Sequence, residues 1–300
     1  MAHAQPTKQP RVAGPSPARD DLVALLRAQL EAIRAHEPGL RAGTDPERLH
    51  QLRTAVRRLR AILGAARAMF EPEWLGGLRS ELDWLGTVLG GLRDLDVVSQ
   101  HLREEFGSLT APQRAAGQAL LDRLEAQRAR AHERIQAALD SPRYGKLLDR
   151  LDQAIQHPRV VTADISLPDI AAGQFRKLRK AVKALPRDPS DEDLHTVRIR
   201  VKRARYAAEL AEGRVGRPAT RFVARAKQLQ DILGVHQDAV VAETRLRALV
   251  ARDGRRRPER TLAETLMTRQ RARRQATQME FFEQWPRLKR RGDQAWKTVK

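Results

Sequence analysis

One eleven-residue pattern occurs twice in this chain, and any fold it adopts must accommodate both copies. The first reads His50-Gln51-Leu52-Arg53-Thr54-Ala55-Val56-Arg57-Arg58-Leu59-Arg60; the second, 145 positions later, reads His195-Thr196-Val197-Arg198-Ile199-Arg200-Val201-Lys202-Arg203-Ala204-Arg205. Six positions match: His50 with His195, Arg53 with Arg198, Val56 with Val201, Arg57 with Lys202, Arg58 with Arg203 and Arg60 with Arg205. On an α-helix, at about 100° per residue, His50, Arg53, Arg57 and Arg60 share an arc of about 80°. Leu52, Ala55, Val56, Leu59, Ile62 and Leu63 lie opposite them. In the second copy His195, Arg198, Lys202 and Arg205 take the polar arc, and Val197, Val201, Ala204, Ala207 and Ala208 the apolar one. Arg58 and Arg203 sit about 80° from the histidines on the other flank and point to a rim or a neighbouring helix.

A second repeat supports duplication. Leu85, Val88, Leu89, Gly90 and Asp94 align at an offset of 144 with Leu229, Ile232, Leu233, Gly234 and Asp238. Glycine weakens a helix by about 1 kcal/mol relative to alanine, so its recurrence predicts a helix break or a close helix contact. Asp94 and Asp238 suit a cap on a resumed helix or a salt bridge to a stripe arginine. His236 has no counterpart in the first half and reads as a cap or surface residue.

Like charges crowded on one arc repel, so the stripe is unfavourable without an anion. A solvated charged face is the plain reading of one such helix; two copies in the same phase favour an anion site. The arginine fork matches phosphate oxygens in pairs, and a histidine adds a donor that charges near pH 6 to 6.5. The formal charge of +20 agrees, pointing to nucleic acid, an anionic surface or a phosphate polymer. Aromatic residues make up only 4% of the chain, and Tyr206 alone stands in a stripe, whereas binders of single-stranded nucleic acid interleave rings for base stacking.

Other chemistry is poorly represented. The chain has no cysteine and no His-Glu-x-x-His or Gly-x-x-x-x-Gly-Lys motif, and Asp94 and Asp96 do not share a helix face. The reading is therefore of no catalytic residue, no metal and no cofactor. No uncharged apolar run approaches the roughly 18 to 20 residues of a membrane span, and no signal-peptide core is present. A soluble cytoplasmic protein without membrane association is the expectation.

Sequence pattern divides the chain. Residues 1–19, with four prolines, read as a disordered tail, 20–156 as a first half of four main helices, 157–168 as a linker and 169–300 as a second such half. The first helix, capped by Asp20 or Asp21, is expected to stop near Pro38-Gly39. Thr44 or Asp45 caps the second, which carries His50 and runs to about Phe70; the third meets Gly90-Gly91. A long helix over about 111–140 breaks near Pro142 and resumes to about 155. In the second half, helices are expected at about 169–185, from Ser190 through Arg205, at 217–234 and at 258–282, with a short one after Pro286. No segment shows sustained strand alternation.

His-x-x-Arg-x-x-x-Arg-Arg-x-Arg followed by Leu-Gly-x-x-x-Asp, then His-x-x-Arg-x-x-x-Lys-Arg-x-Arg and a second Leu-Gly-x-x-x-Asp, resembles the CHAD family, the conserved histidine α-helical domain. The resemblance covers about Asp21 to Trp296. It implies an all-α fold of two four-helix bundles related by a pseudo two-fold axis, with a central basic groove or pore. It also implies non-catalytic binding of inorganic polyphosphate and association with polyphosphate granules. Carried across, the binding residues are His50, Arg53, Arg57, Arg58, Arg60, His195, Arg198, Lys202, Arg203 and Arg205. Some members carry a CYTH-type triphosphatase domain, whose Glu-x-Glu-x-Lys signature this sequence lacks. Arg34, Arg179 and Lys183 are possible secondary contacts, and nucleic acid is the alternative ligand.

Overall fold

A computed structural model describes residues 17–42, 46–106, 109–160, 166–253 and 257–297. Its helices are α1 (Pro17–Ala42), α2 (Pro46–Ala65), α3 (Pro72–Glu105), α4 (Ala111–Leu139), α5 (Pro142–Gln156), α6 (Leu167–Lys183), α7 (Asp191–Val215), α8 (Arg217–Asp253) and α9 (Arg257–Ala295), with a 3-10 turn at Arg67–Met69. Among the described residues the sole β feature is an isolated antiparallel bridge between Phe70 and Val160. The fold is all-α.

The apolar arcs read from the sequence are the buried faces. Leu52, Val56, Leu59 and Leu63 of α2 meet Leu22, Leu26, Leu30 and Ile33 of α1 in one core, each at most 2% exposed. Val197, Val201, Ala204 and Ala208 of α7 are equally buried against α6 and α8. Burying a leucine side chain contributes about 2 kcal/mol, so the apolar arc fixes which way each basic arc faces. Across the middle of the molecule α2 packs on α7, α3 on α8 and α4 on α9. The two basic helices are thereby side by side.

Several helix ends follow local chemistry. Ser190 and Asp193 form a reciprocal capping box at the start of α7, which sets the phase of His195 one turn later. Ser141 caps α5 through the Tyr144 amide, and Gly216, with φ of 69°, turns the chain from α7 into α8.

Other ends depart from expectation. Helix α1 starts at Pro17, so residues 17–19 are helical and Asp20 lies within the first turn rather than at the cap. It also runs through Pro38-Gly39, because Leu40 is fully buried and Arg41 binds Glu37, Asp140 and the Leu139 carbonyl. Residues 1–16 and the expected caps Thr44 and Asp45 lie outside the described residues. Helix α2 ends at Ala65 instead of near Phe70, where the 3-10 turn and the Val160 bridge take over.

Neither Gly90-Gly91 nor Gly234 breaks its helix; α3 and α8 are continuous through them. Pro142 and Pro286 occupy the same repeat offset of 144 yet behave differently. Ser141 adopts an extended backbone and caps α5, whereas Trp285 has no capping group and packs on the core. Helix α9 therefore continues through Pro286, and no separate C-terminal helix follows it.

Candidate anion-binding site

Packing α2 against α7 brings the two basic arcs into electrostatic reach of each other. Arg57 of α2 acts on Lys202 and Arg198 of α7, and Arg60 also acts on Lys202. Arg53, Arg57 and Arg93 surround His50. Six predicted residues, Arg53, Arg57, Arg60, Arg198, Lys202 and Arg205, thus join one field, with His50 at its edge.

These cations are incompletely neutralised. Among the described residues no carboxylate ion-pairs with Arg53, Arg57, Arg198 or Lys202, while Arg60 pairs with Asp83 and Arg205 with Glu209 at 3.1 Å. Buried guanidinium nitrogens lack a protein partner: Arg53 Nη1, Arg57 Nε and Arg198 Nε. Arg57 retains one internal bond, from Nη2 to Thr54 Oγ1 at 3.1 Å. Buried donors without acceptors are unfavourable by about 1–3 kcal/mol each, more when charged.

The strain appears in the ionisation of these groups. Burial, reinforced by Arg198, Arg57, Arg60 and Arg205, lowers the Lys202 pKa to about 7. Burial also pulls Arg53 down to about 10, against the opposing pull of Asp94. Arg198 is lowered by burial, with Asp238 opposing. The two motif aspartates are therefore distant counter-charges to the two motif arginines; Asp94 makes its direct contact at 3.9 Å with Arg245. Neither caps a resumed helix. His50 is lowered by burial and by Arg57, Arg93 and Arg53 together, despite Glu47. A gain of histidine charge below pH 6.5 is thus not expected at His50; the shift moves its charging to more acidic pH.

The repeated glycine has a steric reason in the first half. A Cβ at Gly90 would stand 3.3 Å from Arg53 Nη1, and one at Gly86 would stand 3.0 Å from Arg60 Nη1. Their absence lets guanidinium groups lie on α3. At Gly234 a Cβ would meet open space, so that copy lacks the contact.

The remaining predicted residues, and Arg205 within the field, have partners or surroundings of their own. His195 is held by Gln237 of α8, with Nδ1 and Oε1 2.6 Å apart. Arg205 is 7% exposed and its guanidinium lies 4.3 Å over the Tyr206 ring. Arg58 and Arg205 both lie within electrostatic reach of Glu209. Arg203 is exposed and faces Arg67, Arg79 and Arg200. Arg34 is tied to Asp152 and Arg179 to Asp293, so neither extends the field as a free cation. Lys183 lines a different groove. His236 is neither cap nor surface group: it is buried, 3.0 Å from Asp191 Oδ1 and 3.2 Å from Thr277 Oγ1.

Arg60 and Arg203 open into a cavity of about 710 Å³ between α2, α3, α6 and α7, where Arg67, Arg79, Lys177, Lys180 and Arg200 add five cations and no carboxylate. The repeat could not have revealed Arg200, because its counterpart is the core residue Ala55. Arg93, which flanks Arg53, His50 and His101, likewise lies outside the motif. Among the described residues no group of three His, Cys, Asp or Glu could hold a metal, and no helix is long and apolar enough to cross a membrane.

A family model described as the CHAD domain matches residues 24–247. Two uncharacterized proteins from Mycobacterium tuberculosis strains are 31% identical over 244 residues, 78% of this chain. The chain spans about half the length of these curated relatives, 46%. Among solved structures, PptA from Streptomyces chartreusis is similar with a TM-score of 0.77 at 27% identity, over 90% of this chain and 100% of that one. The CHAD domain of the plant Ricinus communis is similar with a TM-score of 0.70 at 27% identity, over 92% of this chain and 93% of that one.

Proposed function

The chain belongs to the CHAD family, and from that premise we propose that it binds inorganic polyphosphate, without catalysis, along the α2–α7 field. Arg53, Arg57, Arg198 and Lys202 are the central contacts, and His50 and His195 flank them. Arg60, already paired with Asp83, stands at the entrance to the basic cavity, and Arg205 and Arg58 hold the field from behind. Arg203 leads the polymer into the basic cavity with Arg67, Arg79 and Arg200. The observation that carries the reading is the set of half-buried cations with unpaired donors. A phosphate chain supplies one negative charge per unit and acceptors on every side, so it relieves both the repulsion and the missing hydrogen bonds.

We read the two halves, residues 20–156 and 169–300 joined by 157–168, as an internal duplication. The packing of α2 on α7, α3 on α8 and α4 on α9, each with its counterpart, supports a pseudo two-fold relation. Association with polyphosphate granules in the cytoplasm follows as a consequence of polymer binding.

Nucleic acid is a weaker fit to this site. Tyr206, the ring within the second stripe, is 1% exposed beneath Arg205 and offers no face to a base. The test is competition: labelled single-stranded RNA is bound first and long-chain polyphosphate is added at matched charge. Polyphosphate should displace most of the RNA at that ratio. RNA that stays bound refutes the reading, and magnesium-dependent phosphate release from the polymer refutes its non-catalytic part.

A further inference from the structure

A second basic groove lies between α6 and α9, and its chemistry differs from that of the α2–α7 field. It encloses about 730 Å³ and is lined by Arg176, Arg179, Lys180 and Lys183 of α6 and by Phe282, Trp285 and Lys289 of α9. Arg179 is already paired with Asp293 at 3.0 Å, which leaves Arg176, Lys180, Lys183 and Lys289 as the groove's exposed cations. Phe282 is 39% exposed and Trp285 is half-buried against the core, and with Lys289 they lie at helical spacing on one face of α9.

Polyphosphate has no use for the rings, since a bare phosphate chain offers nothing to stack. Phe282, packed edge-on against Phe281 at 5.1 Å, and Trp285 offer ring surface that a ligand can cover. The combination suits a planar heteroaromatic ring carrying several phosphates. Its volume falls in the range of about 300–1,000 Å³ typical of small-ligand sites, enough for one nucleotide rather than a strand.

We propose that this groove binds a free nucleoside triphosphate, with the base against Phe282 and Trp285 and the phosphates on Arg176, Lys180, Lys183 and Lys289. The inference stands apart from the polyphosphate reading, because the carrying residues are the two rings. Lys180 also lines the cavity reached from Arg60, so the test leaves it intact.

Calorimetric titrations without magnesium, in an Arg57→Ala, Lys202→Ala background that removes the α2–α7 field as a competing site, compare ATP with tripolyphosphate, which carries similar charge but no base. Stacking one base is worth roughly ten- to a hundredfold in affinity, so this background should bind ATP at least about tenfold tighter than tripolyphosphate. Phe282→Ala, a change at an exposed position, should remove most of that preference. Lys183→Glu with Lys289→Glu, added to that background, should weaken ATP binding sharply. Equal affinity for the two ligands overturns the proposal. So does a preference that survives in Phe282→Ala, or ATP binding lost in the Arg57→Ala, Lys202→Ala protein. A short oligoadenylate binding far more tightly than ATP would assign the groove to a strand and overturn it as well.

Discussion

Raising the pH from 7 to 8.5 should weaken polyphosphate binding through one residue, Lys202. In the free protein burial and the neighbouring Arg198, Arg57, Arg60 and Arg205 hold its pKa at about 7. About half the molecules therefore carry the charge at pH 7, and roughly 3% at pH 8.5. A bound phosphate chain screens those guanidinium groups and contacts the ammonium, returning the pKa towards its ordinary value of about 10.4. Binding must then take up about half a proton at pH 7 and about one at pH 8.5. By linkage the affinity falls roughly 15-fold between those values. Calorimetry in buffers of different ionisation enthalpy reads the proton uptake directly. Lys202→Met should bind more weakly at pH 7 and lose this component of the pH dependence, whatever the polymer's own end groups contribute. If wild type and Lys202→Met weaken equally between pH 7 and 8.5, the reasoning about Lys202 is wrong.

The same shift has a consequence for stability without ligand. Between about pH 7 and 10.4 the unfolded chain holds the Lys202 proton and the folded chain does not, so stability should rise with pH across that window; below it the penalty of the buried charge is complete. Lys202→Met should accordingly stabilise the ligand-free fold by about 1–2 kcal/mol, read by denaturant unfolding. Gly234→Ala, in open space, should raise stability by up to about 1 kcal/mol with binding unchanged, whereas Gly90→Ala should displace Arg53 and weaken binding; melting curves and polymer titrations check both. Arg34→Ala should leave polyphosphate affinity within about twofold, because Asp152 already holds that guanidinium and exposed pairs contribute little. His236→Ala should destabilise the fold by about 2 kcal/mol, since it strands a contact to Asp191 and Thr277 and leaves a cavity.

The fold was legible wherever side-chain chemistry repeats with the helical period. The arcs of α2 and α7 appear in the structure with the apolar residues buried as read, and Ser190-Asp191-Glu192-Asp193 opens α7. Helix ends at Pro38, Gly90, Gly234 and Pro286 were misread for one physical reason. A local breaker is worth about 1–3 kcal/mol, and a buried Leu40 in α1, buried Leu89 and Leu92 around Gly90 in α3, or a long α8–α9 contact outweighs it. Within the candidate site, the motif names Arg53, Arg57, Arg198 and Lys202, which the packing of α2 on α7 brings within electrostatic reach of one another. It could not separate Arg205, which Glu209 and Tyr206 hold, from the unpaired cations, because both kinds share one helical arc. Arg67, Arg79, Arg200 and Arg93 reach the field or its cavity from positions with no repeat, so only packing discloses them.

The central claim is that a specific unpaired set of cations, rather than the overall charge of +20, holds the polymer. Titrating long-chain polyphosphate into wild type and into Arg57→Ala with Lys202→Ala, at two salt concentrations, tests it most directly. Charged hydrogen bonds are worth about 1.5–3 kcal/mol each, so the double variant should lose at least about a hundredfold in affinity and show a shallower salt dependence. Undiminished binding with the same salt dependence would mean that a diffuse basic surface does the binding, and would contradict the account.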